Sequence, residues 1–288
     1  MKKIKVLALC AIVAGFSTSC EKSDVASEAQ PEAVTESISK EHREALLKTG
    51  VSDFGAEYIT VQHPGQQPFD AILADGDIIF ALDQLAQNIH ALEQGENNAK
   101  QYRTRNLVSQ GRTIRVTGWT GSGNALTSKM RTGLQWAVNN YNRINISLNF
   151  VLTFGTDQGS NVDMVVYNNN RSGGGGSAGF PSGGRPNKYI QINAGTDSFS
   201  TNVNEHVIGH EMGHSVGLRH TNYARRNCPD GSNEGDGGVG AIHIPGTPTA
   251  NQTGQAGLDT DSFMIACFSG NEDGEFSNFD RIALEALY

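Results

Sequence analysis

The chain has no internal apolar run long enough to cross a membrane, no cluster of basic residues, and only four cysteines in 288 residues. Each shortage excludes something. A spanning helix needs about 20 consecutive apolar residues, so none is expected within the body of the protein. With 22 Lys and Arg against 30 Asp and Glu, a formal charge of -8 and no basic patch, nucleic acid is not expected as a partner. Modest apolar content beside 34 glycines argues against a helical bundle and for a loop-rich extracellular protein.

Lys2, Lys3 and Lys5 precede the apolar run Val6 to Phe16, the charged-then-apolar order of a secretory signal. Cys10 lies inside that run and would leave with it. The run ends in Ser17-Thr18-Ser19-Cys20, which resembles a bacterial lipobox, with Ser17 where an aliphatic residue is usual. Residues 1–19 are therefore expected to be a lipoprotein signal. Cys20 would be the lipidated residue, anchoring an exported protein to the outer membrane or cell surface. The alternative is an ordinary cleaved signal that leaves Cys20 as a spare thiol. Residues 20–38 are rich in Ser, Glu, Ala and Gln, a composition that cannot bury enough surface to fold, and read as a flexible tether. Cys228 and Cys267 remain, and two leftover cysteines in an exported protein usually pair, so a disulfide is expected.

The chain reads as organised around Thr201 to Thr221, TNVNEHVIGHEMGHSVGLRHT. Side chains four residues apart share a helix face, so His210 and His214 can aim at one metal ion while Glu211 stands beside it as a base. Gly217 falls where the helix would end, and a left-handed turn there lets His220 swing back as a third ligand. Three neutral imidazoles leave one tetrahedral position of Zn²⁺ open, as in a catalytic site. His206, one turn before His210, is read as a rim residue.

At these residues the chain resembles the metzincin zinc peptidases. The stretch His210-Glu211-Met212-Gly213-His214 followed by Arg219-His220-Thr221-Asn222 is similar to the bacterial HEIGH-type metallopeptidases, with Met212 where isoleucine is usual. Ser262-Phe263-Met264 looks like the methionine turn beneath the metal. The resemblance implies an α+β fold with a twisted mixed sheet, a long active-site helix and an irregular lower part. It implies one catalytic Zn²⁺, hydrolysis of protein or peptide substrates with Glu211 as general base, and Met264 as an apolar floor. Lys188 to Asn193 alternates as a strand, and the resemblance implies that this neighbourhood supplies the sheet edge along which a substrate pairs. Two rivals are a lipid-anchored metal-binding protein without turnover and a zinc hydrolase of a non-peptide amide.

Around this site the chain divides at residues 39–112, a pro-region and linker, and 113–288, the catalytic domain; a monomer is expected. In the first part, Ser39 to Lys48 reads as a helix ending at Gly50, Glu57 to Phe80 as short extended segments, and Ala81 to Leu92 as a helix. Asn97 to Arg112 reads as an exposed, cleavable linker. In the second, strands are expected over Thr113 to Thr117, Ile146 to Phe154 and Val162 to Tyr167, with helices over Ala125 to Tyr141 and Asn278 to Leu287, the last opened by a Ser277/Asp280 capping box. The glycine-rich stretch Arg171 to Gly184 lacks a P-loop lysine and reads as a flexible loop, and the pieces near Glu234 to Gly238 and Asn271 to Gly274 as solvated turns without EF-hand spacing. Ala74-Asp75-Gly76-Asp77-Ile78 resembles the Gly-Asp-Ile part of the astacin inhibitory motif. Asp77 is thus a candidate latch of a zymogen, the alternative being a plain β-turn acid.

Overall fold

In a computed structural model, the structure describes residues 37–85, 102–226, 233–235 and 240–288. Cys20, Cys228, the signal and most of the tether lie outside them. Ser39 caps helix α1 (Lys40–Thr49) by accepting from the His42 amide, and Gly50 ends it with φ 78°. The strands β1 (Glu57–Val61), β2 (Phe69–Ala74) and β3 (Ile78–Ala81) form an antiparallel meander. Its second reversal is tight because Asp75 and Gly76 both take positive φ, 53° and 88°. Residues 82–85 are helical, and the rest of the helix expected over Ala81 to Leu92 lies outside the described residues.

The meander packs against later strands of the chain. The His63 ring stacks on Tyr189 at 3.8 Å, its Nδ1 lies 3.0 Å from the Tyr167 hydroxyl, and burial pushes its pKa down to about 4. From Tyr102 on, where the described residues resume, the stretch Asn97 to Arg112 departs from the exposed linker expected of it. Strand β4 (Tyr102–Arg103) is paired, Tyr102 and Thr104 are buried, and the Thr104 amide donates to Gly217 O at 2.8 Å. Tyr102 meets the Tyr223 ring edge-on, a long-range contact that polar local composition cannot reveal.

Beyond it, β5 (Thr113–Trp119), β6 (Asn149–Gly155), β7 (Met164–Asn168), β8 (Gly176–Ser177) and β9 (Tyr189–Ile192) form one sheet in the order β6-β5-β7-β9-β8. All neighbours are parallel except β8, which runs antiparallel to β9. The fold is thus mixed α+β with a mixed sheet. Helix α2 (Ser128–Asn142) buries Met130, Leu134, Ala137 and Tyr141 against the sheet and against α3 (Thr201–Val216). Each large aliphatic side chain buried there contributes roughly 1.5–3 kcal/mol. Gly133 sets the approach of the two helices, since a Cβ there would lie 2.8 Å from the Glu205 amide nitrogen. Strand β10 (Ile242–His243) pairs with β4, and α4 (Asn278–Leu287) closes the chain behind the expected capping box.

Two expectations about the sheet are corrected. The glycine-rich stretch 171–184 is not simply a loop, because Gly176–Ser177 is a strand; bare glycine hides the alternation by which strands are recognised. Nor does Lys188 to Asn193 form the edge. Strand β9 has partners on both sides, and β8 is the last strand of the sheet.

Candidate metal centre

Helix α3 begins where Ser200 accepts from the Val203 amide at 3.1 Å and is buried from Val203 to Val216. It ends at Gly217 with φ 106°, where a Cβ would lie 2.8 Å from Leu107 and 3.0 Å from the Thr104 hydroxyl. The reversal is gripped by β4, since the Arg219 amide donates to Tyr102 O at 2.8 Å. His220 thereby returns to the helix. The Nε2 atoms of His210 and His214 are 3.0 Å apart, and that of His220 lies 3.0 Å and 3.3 Å from them.

The outer nitrogens decide the state of these rings. Nδ1 of His210 is 2.7 Å from Phe263 O, and Nδ1 of His214 is 2.9 Å from Leu218 O. Nδ1 of His220 is 2.5 Å from Glu234 Oε1. A carbonyl or carboxylate oxygen can only accept, so in the neutral rings each Nδ1 carries the proton and each Nε2 presents a lone pair. Three lone pairs converging at about 3 Å repel unless a cation lies among them. The donor set therefore fits a metal ion, and outer hydrogen bonds of this kind are how metal-ligating histidines are oriented.

Asp77 completes the group. Its Oδ2 is 2.9 Å from His220 Nε2, 3.6 Å from His210 and 4.0 Å from His214. It reaches the site from the β2–β3 apex, where Gly76 allows the turn, and the chain there adds to the sheet edge. The Ala178 amide donates to Asp77 O at 2.9 Å, and the Ile79 amide to Ala178 O at 3.0 Å. Ile78 so runs parallel beside Ala178.

Glu211 is buried beside the cluster without belonging to it, and its Oε2 has no hydrogen-bond partner. Burial first, and the Asp77 carboxylate second, hold its pKa well above the usual range. A Cβ on Gly176 would lie 2.8 Å from the Glu211 side chain and 2.7 Å from Gln191 O, so the bare β8 backbone is what makes room for the carboxylate. Met264 is buried under the helix, so close that a Cβ on Gly213 would collide with its sulfur. Asp280 fixes that turn from α4, accepting from the Ser262 hydroxyl at 2.5 Å and the Phe263 amide at 2.9 Å, and burial pushes its pKa up to about 7. His206 is no part of the cluster; its ring lies 6.4 Å from that of His210 and lines the adjoining cavity.

Sequence reasoning missed Glu234. Expected in a solvated turn, it is buried, holds His220 Nδ1 and lies 3.3 Å from Arg219 and 3.5 Å from Arg226. Nothing in its Gly- and Asp-rich surroundings marks it; only the folded chain brings it to His220. Asp75 was missed too, as the partner of the same arginines. Cys267 is a bonded cysteine, while Cys228 lies outside the described residues.

Two solved structures, both of myroilysin, are similar to the chain at 15% and 16% identity. They cover 62% and 67% of this chain and 81% and 92% of their own, with TM-scores of 0.38 and 0.35. No curated protein matches it. The family match runs over residues 72–288, from β2 to the C-terminus, and so includes the three histidines, Glu211, Asp77 and the methionine turn. The chain belongs to the dual-action HEIGH metallopeptidases.

Proposed function

We propose that the chain is a metzincin-like zinc endopeptidase, made as an exported, lipid-anchored precursor that cleaves extended segments of proteins. The observation that carries this reading is the unpartnered Glu211 oxygen beside three converging imidazole lone pairs. His210, His214 and His220 would hold the ion. A zinc ion in such a set acidifies water and polarises a carbonyl. Glu211 takes the proton of the attacking water and later delivers it to the leaving amine, a task suited to a buried carboxylate with a free oxygen. Met264 keeps the underside of the site dry. The edge at Gly176 to Ala178 pairs with substrate backbone and asks little of its side chains. A glutamate so placed favours turnover over mere metal storage, and the strand edge favours a peptide over another amide.

In this reading residues 1–19 are the signal, 20–38 the tether, 39–112 the pro-region and linker, and 113–288 the catalytic domain. Maturation would cut before Tyr102, since Tyr102 to Thr104 is built into the folded body. Asp77 is the latch, at the ligand atoms while its neighbours fill the sheet edge. Cys228 would pair with Cys267 and tie the segment after His220 to the methionine turn, and a cross-linked peptide in an unreduced digest would carry that pairing.

The matured protein should fragment casein, stop when 1,10-phenanthroline removes the metal, and recover when Zn²⁺ is returned. Casein cleavage that persists in the chelator would overturn the metal mechanism. For the anchor, Cys20→Ala should move the protein from the membrane fraction to the soluble one, because the tether has no apolar face of its own. A variant still in the salt-washed pellet would point to another attachment.

A further inference from the structure

The leading segment meets the body at two separate places. One is the metal centre, where Asp77 stands at the ligand atoms and Ile78 runs beside Ala178. The other is the β1–β2 turn, which lies on the sheet face that α2 and α3 leave free. Val166 and Ile190 pack into the helical core, whereas Tyr167 and Tyr189, their neighbours along the strands, belong to a separate cluster with Trp119 and Val165. There the His63 ring stacks on Tyr189 with 14° between the planes and meets Tyr167 edge-on. Gln158 reaches across from the body and donates to Pro64 O at 2.8 Å, while Gln66 donates to Gln158 and to the Tyr189 hydroxyl. The leading segment also has a core of its own, with Leu46, Ile72 and Phe80, against which Phe180 of the body packs. A cut before Tyr102 breaks none of these contacts.

The second foothold is built around a neutral imidazole. His63 Nδ1 lies 3.0 Å from the Tyr167 hydroxyl, and burial raises the pKa of both Tyr167 and Tyr189, so the two phenols carry no charge. Lys188, beside Tyr189, holds its Nζ 5.9 Å from that ring and donates to Gln158 O and Gly159 O. Asp83, just past β3, lines the adjoining cavity of about 480 Å³ with His63. Neither charge governs the ring: burial alone pushes its pKa down to about 4. An undocked histidine takes up its proton near its ordinary value, about 6.5. Docking is therefore at full strength above that pH and weakens as the pH falls toward 4, because the free segment binds a proton that the docked one refuses. At pH 5 the two values give a loss of about thirtyfold in the docking constant.

We propose that the severed leading segment stays on the body as an inhibitor at neutral pH, and that His63, seated against Tyr167 and Tyr189, is the acid-sensitive catch that releases it. This rests on the peptidase reading above and on maturation by a cut before Tyr102. Cutting and release are then separate steps. The first leaves Asp77 at the ligand atoms, and only the second uncovers the metal and the strand edge.

The test uses the full, zinc-loaded chain, nicked before Tyr102 by limited proteolysis and left unseparated. Its two pieces should co-elute from a sizing column at pH 7.5 and cleave peptide slowly. Dilution at pH 5.0 should part them, so that the sample, returned to pH 7.5, cleaves at least tenfold faster than one diluted equally at pH 7.5 throughout. Acid loosens other contacts as well, so two variants carry the assignment. His63→Phe keeps the ring stack and His63→Asn keeps a hydrogen-bonding group, but neither can take a charge. Between pH 7.5 and 5.0 the dissociation constant of the pieces should rise about thirtyfold more in the wild type than in either variant. An equal rise in all three, separation of the wild-type pieces at pH 7.5 on nicking, or a docked complex as fast as the acid-treated sample would each show the proposal wrong and leave the peptidase reading standing. If neither sample cuts peptide, the peptidase reading and the inhibition fall together, while the binding constants still decide whether His63 is the catch.

Discussion

Glu211→Gln is expected to lower kcat on a peptide substrate by about 10²–10⁴-fold, the range lost when a positioned general base is removed, while bound metal stays near one ion per chain. The two halves of this result come from separate features. Retention of metal follows because the cluster of ligand atoms consists of His210, His214, His220 and Asp77, with Glu211 outside it. Loss of rate follows because Oε2 of Glu211 is a buried oxygen beside that cluster left without a hydrogen-bond partner. Glutamine keeps the shape in the space left by Gly176 but cannot take a proton. Peptide hydrolysis and metal analysis of the same sample decide the matter. A variant that loses its metal would make Glu211 a ligand, and one that keeps its rate would remove it from the reaction.

Asp77→Ala in the uncut chain is expected to raise peptide cleavage at least tenfold over the uncut wild type, yet leave it below that of the matured enzyme. The rise follows from the carboxylate, which sits 2.9 Å from His220 Nε2 and within 4.0 Å of the other two ligand nitrogens. An oxygen there holds the position that water needs. The shortfall follows from the backbone, because Asp77 and Ile79 would still be hydrogen-bonded to Ala178 and cover the edge. Two obstacles are thus stacked, and the substitution removes one. Rates on a short peptide with the full-length variant, checked by mass to be uncut, measure this. If the intact wild type is already as fast as the variant, Asp77 is no latch.

The centre of the site was legible because its information is local. His210 and His214 lie one helical turn apart, and Gly217 announces the reversal that brings back His220. Glycine at a helix end, with φ 106°, is a signal that sequence carries openly. The capping box at Ser277 was readable for the same reason. The surroundings of those residues were not. Glu234 reaches His220, Asp280 reaches Phe263 and Asp75 reaches Arg226 only after the sheet has assembled. No periodicity encodes such meetings, and the carboxylates sit in stretches whose polar composition suggests solvent. The sheet edge was misplaced by one strand for a further reason. Strand β8 is built on Gly176 and Ser177, with no branched or aromatic residue to mark it, whereas β9 reads clearly and was credited with its neighbour's position.

At the C-terminus, Asp280 in the last helix holds Ser262 and Phe263, Phe263 O holds His210, the Tyr288 hydroxyl donates to Val216 O, and Tyr288 O accepts from Ser147. A ribosome delivers Ser262 to Tyr288 after the sheet and the three histidines. Until they arrive, the turn at Met264 lacks its hold on Asp280 and the first histidine lacks the acceptor that fixes its tautomer. The histidine cluster is therefore completed only when Ser262 to Tyr288 have been made, and a nascent chain without them, however far its sheet has grown, has no complete blade with which to cut itself or its neighbours.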